Sequence, residues 1–323
     1  MEHILPLLDG RQLAYAEAGD PLSDTVVLNI HGLFTYGQID TKNLAPVFSQ
    51  KSLHLIWPTQ PGWGRSTPAP AKVPYRTFLC GDMTALLNHT RPVPPKYIYI
   101  VGGSYGTLGA QILYGAPYDQ FPYGKHIAGL MILGPFSPFN QHKDYAKTFT
   151  LSSYLSIGPA APYVPFLSTL SRIAVSSKLK NVESAQAFLS NIFHSKMGDG
   201  DKEEFLEWRA RKGGEEGQFE REMAEKMVKS VEFSWEGFKN TATHLHEDWG
   251  FKVGGLDDEH TKAPVLIVCA DKDDMSPPEM ARWLDAHYKN STVKVLSGGH
   301  LAAVTRMDQL WEEFLKPVPT KYV

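Results

Sequence analysis

The sequence predicts an α/β protein: a mainly parallel sheet flanked by helices and interrupted by a helical insertion. Three observations carry that reading. Short apolar runs rich in β-branched and aromatic residues, at 25–30, 96–101 and 265–270, suit strands covered on both faces. Stretches with helical spacing alternate with them, and such alternation implies parallel pairing, with function gathered at the carboxyl ends of the strands. From about 136 to 250 the core strands stop and only helical patterns remain.

Taken in order, residues 3–18 read as a hairpin turning at Asp9-Gly10. The strand at 25–30 runs directly into His31-Gly32-Leu33-Phe34, a loop placed to offer a backbone N–H to an anion. A strand at 53–57 leads into Pro61-Gly62-Trp63-Gly64-Arg65-Ser66, dense in turn residues. Residues 74–90 repeat apolar side chains at helical spacing through Tyr75, Phe78, Leu79, Met83, Leu86 and Leu87. The strand at 96–101, a glycine-rich turn and a helix at 107–114 follow, then a buried strand at 127–133.

Within the insertion, helices are expected at 141–155, 163–175, 183–195, 201–211 and 216–247. In the last of these, Phe219, Met223, Met227, Val228 and Val231 share an apolar face, and the charged residues between them read as a solvated one. Tyr154, Tyr163, Phe166, Phe188, Phe193, Trp208 and Trp235 are expected chiefly in the interior of the insertion, with about a quarter of them facing a ligand. Sheet periodicity returns at 265–270. A helix at 279–288, a strand at 292–296, the loop Ser297-Gly298-Gly299-His300 and a helix ending near Lys316 complete the chain. The expected organisation is a core of 1–135 and 251–323 with a cap of 136–250.

The chain has 323 residues, 42% of them hydrophobic, which suffices for a full core. A net charge of −3 provides no basic field for nucleic acid or an anionic membrane, so the expected partner is a small molecule carrying little charge. Apolar runs are strand-length, too short to span a bilayer. The first residues lack a basic segment followed by an apolar one, which makes a cytoplasmic location the default. Cys80 and Cys269 read as buried reduced thiols.

Chemistry concentrates at Gly102-Gly103-Ser104-Tyr105-Gly106. Strand, tight turn and helix surround a G-x-S-x-G spacing, in which the serine occupies a strained turn and the glycines let two backbones approach. A serine hydroxyl becomes a competent nucleophile when a histidine takes its proton and a carboxylate orients that histidine. His300 and Asp273 fall in loops after predicted strands, on the same sheet edge as Ser104, in the order serine, acid, histidine. Asp271, Asp274 and Asp248 compete for the acid's role. His244 and His246 stand two apart, a spacing that sends helical side chains in different directions, so no metal is expected.

With these motifs assembled, the chain resembles the α/β-hydrolases over nearly its whole length. The matching segments are His31-Gly32-Leu33-Phe34, Pro61-Gly62-Trp63-Gly64-Arg65-Ser66, Gly102-Gly103-Ser104-Tyr105-Gly106, Ala270 through Pro277, and Gly298-Gly299-His300. The resemblance implies Ser104 as nucleophile, Asp273 as acid, His300 as base, the N–H groups of Leu33 and Tyr105 as oxyanion hole, and no cofactor. It implies a serine hydrolase acting on a carboxylic ester or lactone. A prolyl aminopeptidase-like peptidase, a lyase or acyltransferase on the same fold, and a binding protein with a vestigial triad remain alternatives. Thr59 and Ala270 depart from the family pattern, which often has aspartate and glycine there. A serine at 104 argues against the branches that use an aspartate nucleophile.

Overall fold

The computed structural model describes residues 1–320 except Lys42, Ala71, Ser195 and Lys196, with backbone alone at 192–194. Eight strands form one sheet: β1 (Glu2–Pro6), β2 (Gln12–Gly19), β3 (Thr25–Ile30), β4 (His54–Pro58), β5 (Tyr97–Gly103), β6 (Ile127–Leu133), β7 (Val265–Ala270) and β8 (Ser291–Leu296). Their order is β1-β2-β4-β3-β5-β6-β7-β8. The β1–β2 and β2–β4 pairs are antiparallel, and every later pair is parallel. The chain thus steps outward from β3 to β4 and returns to place β5 on β3's other side. The strand order therefore reverses between the neighbouring strands β3 and β5, the point at which sheets of this kind gather function at their carboxyl edge.

Alternation along the strands builds two cores. Leu28, Ile30, Ile100 and Ile132 face one side, covered by α2 (Tyr75–Thr90), α3 (Gly106–Gly115) and α11 (Pro278–His287). Val27, Leu55, Tyr99, Val101 and Met131 face the other, covered by α1 (Val47–Gln50) and α12 (Met307–Phe314). These side chains are almost fully buried, which is why the strands read as continuous apolar runs. Arg11, immediately before β2, reaches α2 and pairs with both oxygens of the buried Asp82, at 2.8 and 2.6 Å.

Between β6 and β7 lie α4 (Leu151–Ser156), α5 (Leu167–Ser176), α6 (Val182–His194), α7 (Asp199–Arg211), α8 (Gln218–Ser230), α9 (Glu236–Lys239) and α10 (Thr241–His246). A third apolar cluster joins them to the carboxyl edge. Leu179, Ala185, Leu189 and Met227 of the insertion pack with Trp63, and Leu33, Phe34 and Leu301 border them.

Three sequence expectations need correction here. The helix expected over 141–155 is confined to α4; upstream, successive turns bring Phe139, Tyr145 and Phe149 together, with Phe139 and Tyr145 stacked at 3.9 Å. Burial of those rings outweighs helix propensity, and Thr150 restarts the helix by accepting from the Ser153 N–H at 3.1 Å. The helix expected over 216–247 breaks into α8, α9 and α10. Its interruption follows from docking: the Gly64 N–H donates to the Ser230 carbonyl at 2.7 Å, filling an acceptor left open at the end of α8. Finally, Tyr154, Tyr163 and Phe166 are exposed, not interior. Phe188, Trp208 and Trp235 are half-buried, and the Phe193 side chain lies outside the described residues. No helix among the described residues is long and apolar enough to cross a membrane.

At the junction of insertion and core, the Gly237 N–H donates to the Gly62 carbonyl at 3.1 Å. A Cβ on Gly237 would lie 2.3 Å from Trp63 Nε1. Gly237→Ala is therefore expected to cost about 1–3 kcal/mol through overpacking, read as a lower urea midpoint. A midpoint equal to wild type would show that this junction is not held as described.

Candidate active site

Ser104 links β5 to α3 with φ at +53°, a left-handed conformation costing on the order of 1–3 kcal/mol for a non-glycine residue. Its N–H donates to the Leu133 carbonyl at 2.7 Å, and its own carbonyl accepts from the Thr107 N–H at 2.9 Å and the Thr107 hydroxyl at 2.6 Å. Neighbouring backbone explains the flanking glycines. A Cβ on Gly102 would stand 2.5 Å from the Gly106 carbonyl oxygen, and one on Gly106 would stand 2.1 Å from that of Ile30. Gly103 has open space where its Cβ would be. Sterics thus require glycine at the two outer positions and leave the inner one free.

The Ser104 hydroxyl lies 2.7 Å from His300 Nε2, and His300 Nδ1 lies 2.7 Å from Asp273 Oδ2. With the proton on Nδ1 shared toward the carboxylate, Nε2 is free to accept from serine. Asp273 is almost fully buried, which by itself would raise its pKa. The hydrogen bond and charge of His300, together with bonds from Ser276, outweigh burial and hold the carboxyl below its ordinary value. Its Oδ1 accepts from the N–H groups of Met275 and Ser276 at 2.9 and 3.0 Å, and Oδ2 accepts from the Ser276 hydroxyl at 2.9 Å.

The other acids of that loop have different partners. Asp271 accepts from the Gly298 N–H at 2.8 Å, so it braces the loop carrying His300. Asp274 follows the buried acid and meets the insertion, where Ser153 donates to its carbonyl at 3.4 Å. Asp248 pairs with Arg76 at 3.0 Å, bridging the insertion's end to α2. Two residues supporting the pair escape the sequence reading. Ser276 is one. Gly134 is the other, with φ at +57° and space for a Cβ only 3.2 Å from His300 Cε1. A glycine immediately after a predicted core strand was the available signal.

The loop after β3 runs alongside the serine turn, since a Cβ on Gly32 would stand 3.0 Å from the Gly103 carbonyl oxygen. Phe34 in that loop also has a positive φ, +55°, and packs against Trp63 and Phe238 at 5.8 and 5.1 Å. Among the described residues, no internal acceptor engages the N–H of Leu33 or of Tyr105. Thr59 takes part in bracing this region: its hydroxyl accepts from the Gly37 N–H at 2.9 Å.

Behind the site runs a buried polar chain that the sequence did not reveal. His31 donates from Nδ1 to the Gly32 carbonyl at 2.7 Å and accepts at Nε2 from the Gln60 N–H at 2.8 Å. The Gln60 side-chain carbonyl accepts in turn from the Tyr75 hydroxyl. His244, on α10, stacks on Tyr75 at 4.4 Å and accepts at Nδ1 from the Tyr105 hydroxyl at 2.6 Å. Burial pushes the Tyr105 phenol well above its ordinary pKa, so it remains a donor. Burial lowers both His31 and His244 to about 4. His246 instead turns to the carbonyls of Ile157 and Gly158, at 2.9 and 3.1 Å, so the two insertion histidines do not converge. Among the described residues, no group of three or more His, Cys, Asp or Glu side chains is placed to hold a metal.

These two neutral histidines set an acid sensitivity. Between the unfolded value of 6.5 and the folded value of about 4, the unfolded chain binds protons that the folded chain does not, so stability falls as pH falls through this window. Each contributes a slope of up to about 1.4 kcal/mol per pH unit. The Asp273 contribution has a separate window, being lost only as pH falls below its unfolded value of 3.8 and through its lower folded value. Urea unfolding across the upper window is expected to show the loss, with a shallower slope in His244→Gln; identical slopes for the two proteins would contradict a buried neutral His244.

By sequence, no curated protein matches the chain. Among solved structures it is similar to a hydrolase from Pseudomonas aeruginosa, with TM-score 0.64 and 18% identity over 97% of this chain and 98% of that one. An esterase from a Rhodococcus species gives TM-score 0.62 and 15% identity over 98% and 99%. A bromoperoxidase from Bacillus anthracis gives TM-score 0.62 and 17% identity over 98% and 100%. At such identities the likeness concerns the fold. The family model for the alpha/beta hydrolase fold matches residues 25–306, which takes in both the serine turn and His300, and the chain belongs to that family.

Proposed function

We propose that the protein is a serine hydrolase that cleaves carboxylic esters or lactones through an acyl-enzyme. The observation carrying this reading is the continuous line from Ser104 Oγ to His300 to Asp273, each link 2.7 Å, with the serine held in a left-handed turn. Ser104 Oγ attacks the substrate carbonyl carbon as His300 Nε2 takes its proton. Asp273, ionised and already supplied with hydrogen bonds, stabilises the imidazolium and fixes its tautomer. The oxyanion accepts from the N–H groups of Leu33 and Tyr105, each donor contributing roughly 3–4 kcal/mol to lowering the barrier. His300 then gives the proton to the departing alkoxide. In the second half water attacks the acyl group, its proton passing through His300 back to Ser104 Oγ.

Residues 1–135 and 251–323 serve as the catalytic core in this reading, and 136–250 as a cap governing substrate choice. An apolar acyl or alcohol group is favoured because Leu33, Phe34 and Leu301 border the cluster formed with the cap. A peptidase that grips a substrate amine needs an uncommitted carboxylate nearby. On α7, beside the His300 loop, Glu204 pairs with Arg306 at 2.5 Å and Asp201 accepts from the Gly198 N–H at 2.9 Å. These engagements favour the ester reading over the aminopeptidase one.

Ser104→Ala is expected to abolish both ester turnover and labelling by a fluorophosphonate in a protein with unchanged unfolding. Turnover of p-nitrophenyl esters by that folded variant at the wild-type rate would remove Ser104 from the mechanism. A paired comparison isolates the acid: Asp273→Asn is expected to lower kcat by up to ~10⁴, because the amide favours the wrong histidine tautomer. Asp274→Asn is expected to cost far less, and the reverse ranking in folded proteins would transfer the role to Asp274.

A further inference from the structure

Residues 148–171 contain no Asp, Glu, Lys or Arg. In a soluble helical layer such a stretch would be expected inside, yet it lies largely on the surface. Tyr163 is 85% exposed, Phe166 80% and Leu151 75%, with Tyr154, Leu170 and Ile173 exposed as well. No residue of α4 or α5 is buried. Apolar side chains scattered singly over a surface need no explanation, but a contiguous chain segment presenting them does. The inner side of this segment is anchored: His246 holds Ile157 and Gly158, and Ser153 reaches Asp274 beside the acid of the site.

The flanks supply the second observation. From 143 to 180 the charged residues are Lys143, Lys147, Arg172, Lys178 and Lys180, against the single acid Asp144. All five cations are exposed, and none belongs to an ion pair among the described residues. The whole-chain charge of −3 conceals this local reversal of sign. Tyrosine and phenylalanine between lysines that extend outward suit a headgroup boundary, where rings enter the apolar layer and ammonium groups stay with phosphates. Glu232 and Glu236 border Arg172 across a groove of α5, but Glu236 is taken by Lys239 at 2.7 Å.

We propose that the α4–α5 face is a docking surface for an anionic lipid bilayer, entered by Tyr163, Phe166 and Leu170 and steered by the surrounding lysines. A second copy of the chain is the less suitable occupant, because a twofold contact through this face would press the same cationic flanks together. The proposal stands independently of the hydrolase reading.

Sedimentation with vesicles of phosphatidylcholine, alone or mixed with phosphatidylserine, tests it. Wild type is expected to sediment with the mixed vesicles and to be released by salt. The combined variant Tyr163→Asp, Phe166→Asp and Leu170→Asp is expected to partition at least about tenfold less. Lys178→Glu with Lys180→Glu is expected to lose the preference for phosphatidylserine. Because the apolar positions are exposed, the combined variant should unfold at the wild-type urea midpoint and turn over a short soluble ester at the wild-type rate. Absence of ester turnover in both proteins would count against the hydrolase reading alone. Equal sedimentation of wild type and the combined variant, sedimentation of neither, or a dimer by light scattering that the combined variant abolishes would each overturn the bilayer assignment.

Discussion

Three backbone segments meet where β3 ends, β5 ends and α3 begins, with no room for side chains between them. Everything else at the site depends on that convergence. The Gly106 α-carbon faces the Ile30 carbonyl, Gly102 faces Gly106, and the residue between is driven to a positive φ. The half-buried serine, set between the end of β5 and the start of α3 with its hydroxyl on His300, is a geometric consequence of the same crowding. The strain is sustained because the sheet on both sides is fully covered and the Ser104 N–H is tied to β6.

This explains which parts were legible in the sequence. The central strands β3, β5, β6 and β7 could be read because they are largely buried on both faces and leave apolar runs, whereas β1 and β2 were betrayed by the turn between them. The serine turn could be read because its sterics admit only glycine at two positions, so the motif records a spatial constraint directly. His300 and Asp273 could be placed at one edge from chain order, and the structure brings their side chains within hydrogen-bond distance of each other and of Ser104.

The insertion was harder for a physical reason. Its helices do not pack on a regular sheet, so their boundaries answer to individual contacts such as Gly64 with Ser230 and the stacking of Phe139 on Tyr145. Helical periodicity could not register either one. Aromatic content was read as interior because burial is the usual fate of large rings, yet Tyr163 and Phe166 lie outside. The chain from Tyr105 to His244 was invisible because its partners lie 139 residues apart.

That same bond bears on how the two halves of the molecule can move. Tyr105 contributes its backbone at the serine turn and its phenol to α10, while Glu247, just after α10, accepts from the Tyr75 N–H at 2.8 Å. Gly237 clasps Gly62 at α9, and α7 is held through Glu204 to Arg306 and through Lys212 to Asp308. Withdrawing any of these helices would expose buried polar groups or part charge pairs. The insertion is thus tied to the core separately through α7, α9 and α10, and displacing it as a body would break all three sets of contacts at once.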